Sequence, residues 1–153
     1  MKQQIKKNIM MIFPVAILSF FLVSIAGAHC EIPCGIYDDQ LRTKLISEHI
    51  TTIEKSMNQI VELSNEKPVN YNQLIRWVTN KDTHATEIQH IVSQYFMTQR
   101  IKPDQKTYAD MLKTLHEMLV TAMKCKQSTD LGHIKTLRSL LNRFETFYFQ
   151  HEH

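Results

Sequence analysis

A short segment near the N-terminus carries the residue types in this chain that are best suited to metal chemistry. His29, Cys30 and Cys34 follow directly after three small residues, Ala26–Ala28. If the chain is cut after Ala28, the free amine of His29 and the amide nitrogen and thiolate of Cys30 can bind one ion through two fused five-membered rings. Cys34 can supply a second thiolate as the fourth ligand. Such a square of nitrogen and sulfur donors suits Ni(II) or Cu(II) and is poor for zinc, which prefers a tetrahedron.

The backbone between the two cysteines favours a return of the chain towards Cys30. Pro33 has a fixed dihedral angle and Gly35 has a permissive backbone, so the loop can bring Cys34 back to the ion. The imidazole of His29 is then available above the plane of the other four donors. Because thiolate and amidate donors favour a higher charge on the metal, an ion that changes between four and five ligands can gain and lose one electron. The segment therefore predicts a redox-active metal site.

Residues 1–28 have the pattern of a cleavable export signal. Lys2, Lys6 and Lys7 precede an apolar stretch at residues 9–25, and the small residues follow it. The alternative is an uncleaved anchor, because about 17 apolar residues lie at the lower limit for crossing a bilayer. Cleavage is favoured, since the small residues stand where an anchor would continue. We therefore expect an exported protein, either periplasmic or extracellular, with an organelle as the alternative in a eukaryote.

Removal of the leader changes the charge balance of the chain. It contains three of the 18 Lys and Arg residues and none of the 15 Asp and Glu residues, which leaves 15 of each sign in the mature chain. The remaining 125 residues suffice for one domain with a core. With no net basic charge, we expect neither a nucleic-acid partner nor a membrane-embedded mature form.

Residues 38–153 carry four helical stripes of apolar residues, each with spacings of three and four. The predicted stripes are Leu41, Leu45, Ile46, Ile50, Ile53, Met57, Ile60 and Val61; Leu74, Ile75, Val78, Ala85, Ile88, Ile91, Val92, Tyr95 and Phe96; Tyr108, Met111, Leu112, Leu115, Met118, Leu119 and Ala122; and Leu131, Ile134, Leu137, Leu140, Leu141, Phe144 and Phe147. The second helix is expected to lose order between Met97 and Pro103, and the third to begin near Asp104. Short connections between such helices predict an all-α protein, an antiparallel up-down four-helix bundle with the metal-binding hook, residues 29–37, at its N-terminus.

The hook also resembles a known protein family. The pattern His29-Cys30-x-x-Pro33-Cys34-Gly35-x-Tyr37 is similar to the N-terminal nickel hook of the nickel-containing superoxide dismutases. Members of that family are four-helix bundles that begin with this sequence after a leader is removed. Six specified residues match within nine positions, immediately behind the predicted cleavage site.

The resemblance implies a cofactor, a reaction and partners. One nickel ion per subunit would be bound by the amine and imidazole of His29, the amide nitrogen and thiolate of Cys30 and the thiolate of Cys34. The Ile32–Pro33 peptide would be cis. The reaction would convert superoxide into dioxygen and hydrogen peroxide by Ni(III)/Ni(II) cycling in a homohexamer. A maturation peptidase and a nickel-loading factor are further expected partners.

The resemblance also implies residues that border the metal. Tyr37 would stand over the open face of the ion, and Tyr95 would be a second tyrosine of the same pocket. Family members support the axial imidazole with a carboxylate and an arginine, for which this chain has no counterpart that aligns. Glu48, Lys81 and His84 are candidate substitutes that the sequence leaves unassigned.

Two alternatives to the redox enzyme stay open at this point. One is an exported nickel- or copper-binding protein that uses the same hook without turnover. The other is a structural bundle in which Cys30 and Cys34 form a disulfide. We expect Cys125 to be a bystander, and we take His151 and His153 as a flexible polar tail.

Overall fold

A computed structural model describes residues 38–149 of the chain, and within this range it contains helices and no strands. The elements are α1 (Asp39–Asn65), α2 (Tyr71–His90), a π-helix that continues α2 (Ile91–Arg100), α3 (Tyr108–Gln127) and α4 (Gly132–Phe149). The predicted all-α class is confirmed. None of these described helices is long and apolar enough to cross a membrane.

Side-chain caps fix where three of the helices begin. The Asp38 carboxylate accepts a hydrogen bond of 2.8 Å from the Leu41 amide at the start of α1. The Asn70 side chain caps α2 in the same way. Asp130 accepts a bond of 2.8 Å from the Gly132 amide, where α4 begins. Asp and Asn are favoured at these positions because they satisfy amide groups that have no partner within the helix.

Hydrogen bonds between helices establish the antiparallel order. Each helix is bonded to both of its neighbours, and in each pair of helices the residue numbers run in opposite directions. The pairs are His49–His84 and Ser56–Asn80, Lys81–Cys125 and Gln89–Leu119, Thr107–Phe147 and Glu117–Arg143, and Asp39–Tyr148 and Glu54–Arg138. The four helices therefore close into the predicted up-down bundle.

The core is formed by the predicted stripes. Its fully buried large side chains are Ile46, Ile50, Ile53, Met57, Ile88, Tyr95, Phe96, Met111, Leu115, Met118, Ile134 and Phe144. Some stripe residues are instead exposed, because the stripes are wider than the face that each helix buries. They are Leu41, Val61, Ile75, Val78 and Leu131.

The second helix ends within the predicted interval between Met97 and Pro103. The π-helix continues to Arg100, and Ile101 is extended. The Ile101 amide then donates to the Phe96 carbonyl at 3.0 Å, which keeps the five-residue spacing at the end of the helix. The third helix begins at Tyr108, later than expected.

Lys81 is a charged residue inside the bundle. Its side chain is 4% exposed, and its ammonium group donates to the carbonyl oxygens of Cys125 and Lys126, each at 2.6 Å, and to the Asp82 carboxylate at 3.0 Å. The two carbonyls belong to the last turn of α3, where a helix has unsatisfied acceptors and a partial negative charge. Lys81 therefore closes the C-terminal end of α3 from the neighbouring helix.

We predict that Lys81→Met lowers the free energy of unfolding by about 3 kcal/mol, because it leaves buried carbonyl oxygens without a donor. Urea unfolding followed by circular dichroism measures the change. Lys44→Met, at an exposed position on α1, is the control and should change stability by less than about 0.5 kcal/mol. Equal losses in the two variants would show that Lys81 does not hold α3.

Candidate functional site

The predicted site residues divide into two groups. The proposed ligands and the first tyrosine of the pocket lie outside the residues that the structure describes, as does the predicted cis peptide before Pro33; these residues are His29, Cys30, Cys34 and Tyr37. Tyr95 lies within the described range.

Tyr95 lies on the π-helix and is 2% exposed. Its hydroxyl group donates a short hydrogen bond to the carboxylate of Asp39, the first residue of α1. The Phe96 ring packs edge-on against the Tyr95 ring at 5.1 Å, and the Arg42 guanidinium lies 5.1 Å from the Tyr95 ring centre. The position of this tyrosine is therefore fixed at both its ring and its hydroxyl group.

Asp39 is the centre of a partly buried polar group that we call the Asp39 cluster: Asp39, Tyr95, Arg100 and Tyr148. The Asp39 side chain is 9% exposed. Arg100 Nη2 donates to it at 2.6 Å, Arg100 Nε lies 3.0 and 3.1 Å from its two oxygens, and the Tyr148 hydroxyl donates at 2.7 Å. Since Tyr148 belongs to α4, the cluster joins α1, the π-helix and α4 at one end of the bundle.

The π-helix explains how two residues five apart reach the same carboxylate. In an α-helix, positions separated by five residues point about 140° apart. The five-residue hydrogen bonding of a π-helix instead places such positions close to one line. A side-chain bond has the same five-residue spacing, because the Thr98 hydroxyl donates to the Ser93 carbonyl at 2.7 Å. Tyr95 and Arg100 can therefore both bind Asp39.

The electrostatics of the cluster favour an ionised Asp39 and protonated tyrosines. Burial raises the pKa of Asp39, but the hydrogen bonds from Arg100, Tyr95 and Tyr148 outweigh it and hold the pKa below its usual value. Burial, with the hydrogen bond to Asp39, raises the pKa of Tyr95 to about 12. The same causes raise the pKa of Tyr148. At neutral pH the carboxylate therefore accepts and the hydroxyl groups donate.

The candidate substitutes for the supporting carboxylate and arginine have other surroundings. Lys81 uses its three protons on the acceptors at the end of α3 and beside it, which is all that an ammonium group can donate. His84 is paired with His49, with their Nδ1 atoms 2.7 Å apart. Glu48 is exposed on α1. Among the carboxylate–arginine pairs of the described residues, Asp39–Arg100 is more shielded from solvent than Glu54–Arg138 and Glu117–Arg143.

Cys125 is a buried free thiol on α3. Burial raises its pKa to about 11, and the nearby Lys81 only partly offsets this. The thiol is therefore protonated at neutral pH, whereas a metal ligand must be a thiolate. This is consistent with the predicted role of Cys125 as a bystander. Between residues 38 and 149, no three His, Cys, Asp or Glu side chains converge to hold a metal ion.

The described residues form a four-helix bundle, and the hook sequence that precedes them predicts a redox-active metal site. Residues 24–152 match the family model for nickel-containing superoxide dismutase. The chain belongs to this family. It is an oxidoreductase that disproportionates superoxide, with a nickel cofactor in each subunit. No curated protein and no solved structure matches the chain significantly.

Sequence reasoning did not single out Asp39, Arg100 or Tyr148 as site residues. By sequence alone, Asp39 is an ordinary acidic residue at the start of a helix. Arg100 falls in the segment that was expected to be irregular, and Tyr148 lies beyond the last residue of the predicted fourth stripe. The signal available in the sequence was a pair of opposite charges. Asp39 lies two residues after the end of the hook, and Arg100 lies five residues after Tyr95.

The histidine pair generates a prediction about pH. Burial and the neighbouring His84 lower the pKa of His49, and Glu87 and Glu48 only partly oppose this. The unfolded chain therefore binds more protons near pH 6 than the folded chain, so the free energy of unfolding should fall as the pH decreases from about 7 to 5. Denaturant unfolding across this range measures the slope, and we expect His49→Gln to flatten it.

His116→Gln is the matched control, because His116 is an exposed histidine on α3. It should leave the slope of the parent protein unchanged. A His49→Gln slope equal to that of the parent protein would contradict the assignment of the pH dependence to this pair.

Proposed function

We propose that the mature protein begins at His29 and that His29, Cys30 and Cys34 bind the nickel ion. The donor set supports this assignment: an amine, a deprotonated amide and two thiolates form a square plane of the kind that nickel accepts. The segment precedes α1, whose first residue is the half-buried Asp39. The four-helix bundle, residues 38–153, would then serve as the support of a short metal-binding arm.

Nickel held by these residues would supply the electron transfer by alternating between Ni(III) and Ni(II). In the overall reaction, two superoxide ions and two protons yield one dioxygen and one hydrogen peroxide. Cys30 and Cys34 act as thiolates, and the His29 amine must be unprotonated to bind. The imidazole of His29 would be a further nickel ligand, and donors of all these kinds bind a metal ion only when they are deprotonated.

We further propose that Tyr37 and Tyr95 border the metal and allow only anions as small as superoxide to reach it. Tyr37 precedes Asp39 by two residues, so covalent geometry limits their Cα atoms to about 7 Å. Asp39 in turn binds the Tyr95 hydroxyl group. This connection supports a shared pocket for the two tyrosines at the Asp39 end of the bundle.

Export and assembly complete the proposal. We propose that residues 1–28 are an export signal, that a peptidase removes them and that a loading factor delivers nickel outside the cytoplasm, before the thiols oxidise. A homohexamer is supported by a stripe of exposed apolar residues on α2. Tyr71 is 69% exposed, Ile75 is 64% exposed and Val78 lies on the same face. A second copy of the chain that covers this stripe would remove it from water.

The role of the terminal amine can be tested by adding one residue ahead of it. Mature protein with one alanine added ahead of His29 should lose superoxide consumption by more than about 100-fold, which exceeds the 10- to 100-fold loss typical of residues that only support a ligand. The loss follows because the amine becomes an amide. Pulse radiolysis measures the rate, and metal analysis gives nickel per chain.

The controls separate this effect from misfolding. The extended protein should keep the circular dichroism spectrum of the bundle. Cys34→Ser should lose activity as well, whereas Cys125→Ala should keep it per folded molecule. Full activity in the extended protein would show that the His29 amine is not a ligand.

The role of the apolar stripe in assembly can be tested by placing a charge within it. Ile75→Glu should shift the protein to a smaller species, because it places a charge within the apolar stripe. Analytical ultracentrifugation at several concentrations measures the mass. Thr83→Glu is the control, at an exposed position of α2 about 120° from Tyr71 around the helix. An unchanged mass for Ile75→Glu would remove this stripe from the subunit contact.

A further inference from the structure

We propose that Asp39 is a positioning residue of the nickel reaction, because its carboxylate fixes both Tyr95 and the point where the hook joins the bundle. The proposal rests on the proposed function, in which the hook holds nickel and Tyr95 borders it. Asp39 itself binds neither metal nor substrate in this account. It acts through Tyr95 and through the chain that leads back to Tyr37.

The Asp39 carboxylate has its hydrogen-bonding capacity filled. A carboxylate offers about four acceptor sites. The donors are the Tyr95 hydroxyl, the Tyr148 hydroxyl, Arg100 Nε and Arg100 Nη2. Arg100 Nε also lies 3.2 Å from the Tyr148 oxygen, which connects two of the donors to each other. Asp39 is therefore held from two neighbouring elements and cannot move independently of Tyr95.

Stability alone is a weak explanation for this arrangement. Burying an ion pair often stabilises a protein less than apolar side chains of the same size would. The surrounding core could supply such packing, since Tyr148 stacks on Phe144 with ring centres 5.2 Å apart and meets Phe96 at 5.6 Å. What the carboxylate adds is direction, because it sets the orientation of the Tyr95 hydroxyl group.

The π-helix also supports a functional role for the Asp39 cluster. π-helical hydrogen bonding is rare and is found frequently at functional sites. Here it spans ten residues and places Tyr95 and Arg100 on the face that meets Asp39. An α-helix over the same residues would direct one of the two side chains away from the carboxylate.

The orientation of the hydroxyl group has a chemical consequence. Its proton is donated to Asp39, so Tyr95 presents oxygen lone pairs, and not a proton, to its other neighbours. The high pKa of Tyr95 keeps this arrangement throughout the physiological range. Tyr95 therefore orders the pocket, and the two protons that the reaction consumes come from another source, such as water.

The test compares Asp39→Asn with the parent protein in the mature, nickel-loaded form. Asparagine keeps the shape of the side chain but removes its charge and turns an NH2 group towards one of the donors. We expect the superoxide rate per bound nickel to fall by about 10-fold or more, the usual effect of losing a supporting residue. Glu54→Gln is the matched control, because Glu54 lies on the same helix and pairs with Arg138 at 2.8 Å in an exposed position.

A second readout does not depend on activity. Carbon-13 NMR of labelled tyrosine, with Tyr95→Phe for assignment, follows the ionisation of Tyr95 in the metal-free mature protein. Because the Asp39 carboxylate helps to raise the pKa of Tyr95, Asp39→Asn should move the ionisation to lower pH. A purely structural role would lower the unfolding temperature and leave both the Tyr95 titration and the rate per nickel unchanged; that result would overturn the proposal.

Two further outcomes are decisive. If Asp39→Asn does not fold, Tyr148→Phe replaces it, since it removes one donor and keeps the charge. It should lower the rate per nickel to a smaller extent, and an unchanged rate would overturn the proposal. A parent protein that binds no nickel, or binds it without consuming superoxide, would refute the proposed function, while the Tyr95 titration would still report whether Asp39 orients this tyrosine.

Discussion

The carboxylate of Asp39 is the interaction on which the hook end of the bundle depends. Removing a charged group from water is costly, and this cost is offset only where hydrogen bonds fill its acceptor sites. The donors come from the π-helix and from α4, although the carboxylate belongs to the first residue of α1. One side chain therefore holds together the three elements that surround the start of the bundle.

The position of this cluster in the chain relates the fold to the chemistry. The proposed metal-binding arm, residues 29–37, is joined along the chain to the first turn of α1, where Asp38 caps the helix and the half-buried Asp39 lies. Lys81 has the corresponding task at the C-terminal end of α3, where it binds two carbonyl oxygens. The apolar core supplies most of the stability, and these two charges fix how the helices end.

The sequence predicted the bundle because a helix that buries one face has a strong apolar period. Local rules also predict a helix start near Tyr71, a cap at Asp38 or Asp39 and another at Thr129 or Asp130, and the structure has Tyr71, Asp38 and Asp130 at these places. The Asp39 cluster could not be predicted in this way. The hydrogen-bonded pairs within the cluster join residues that are 48 to 109 positions apart in the chain. The π-helix that aligns them has no recognised sequence period.

The central claim is that the chemistry uses a chain that begins at His29. Intact mass spectrometry of the active protein, isolated from the cells that make it and still loaded with nickel, tests this claim most directly. The account predicts a chain whose first residue is His29, with one nickel ion for each chain. An active, nickel-containing protein whose mass includes Ala28 or any earlier residue would contradict it.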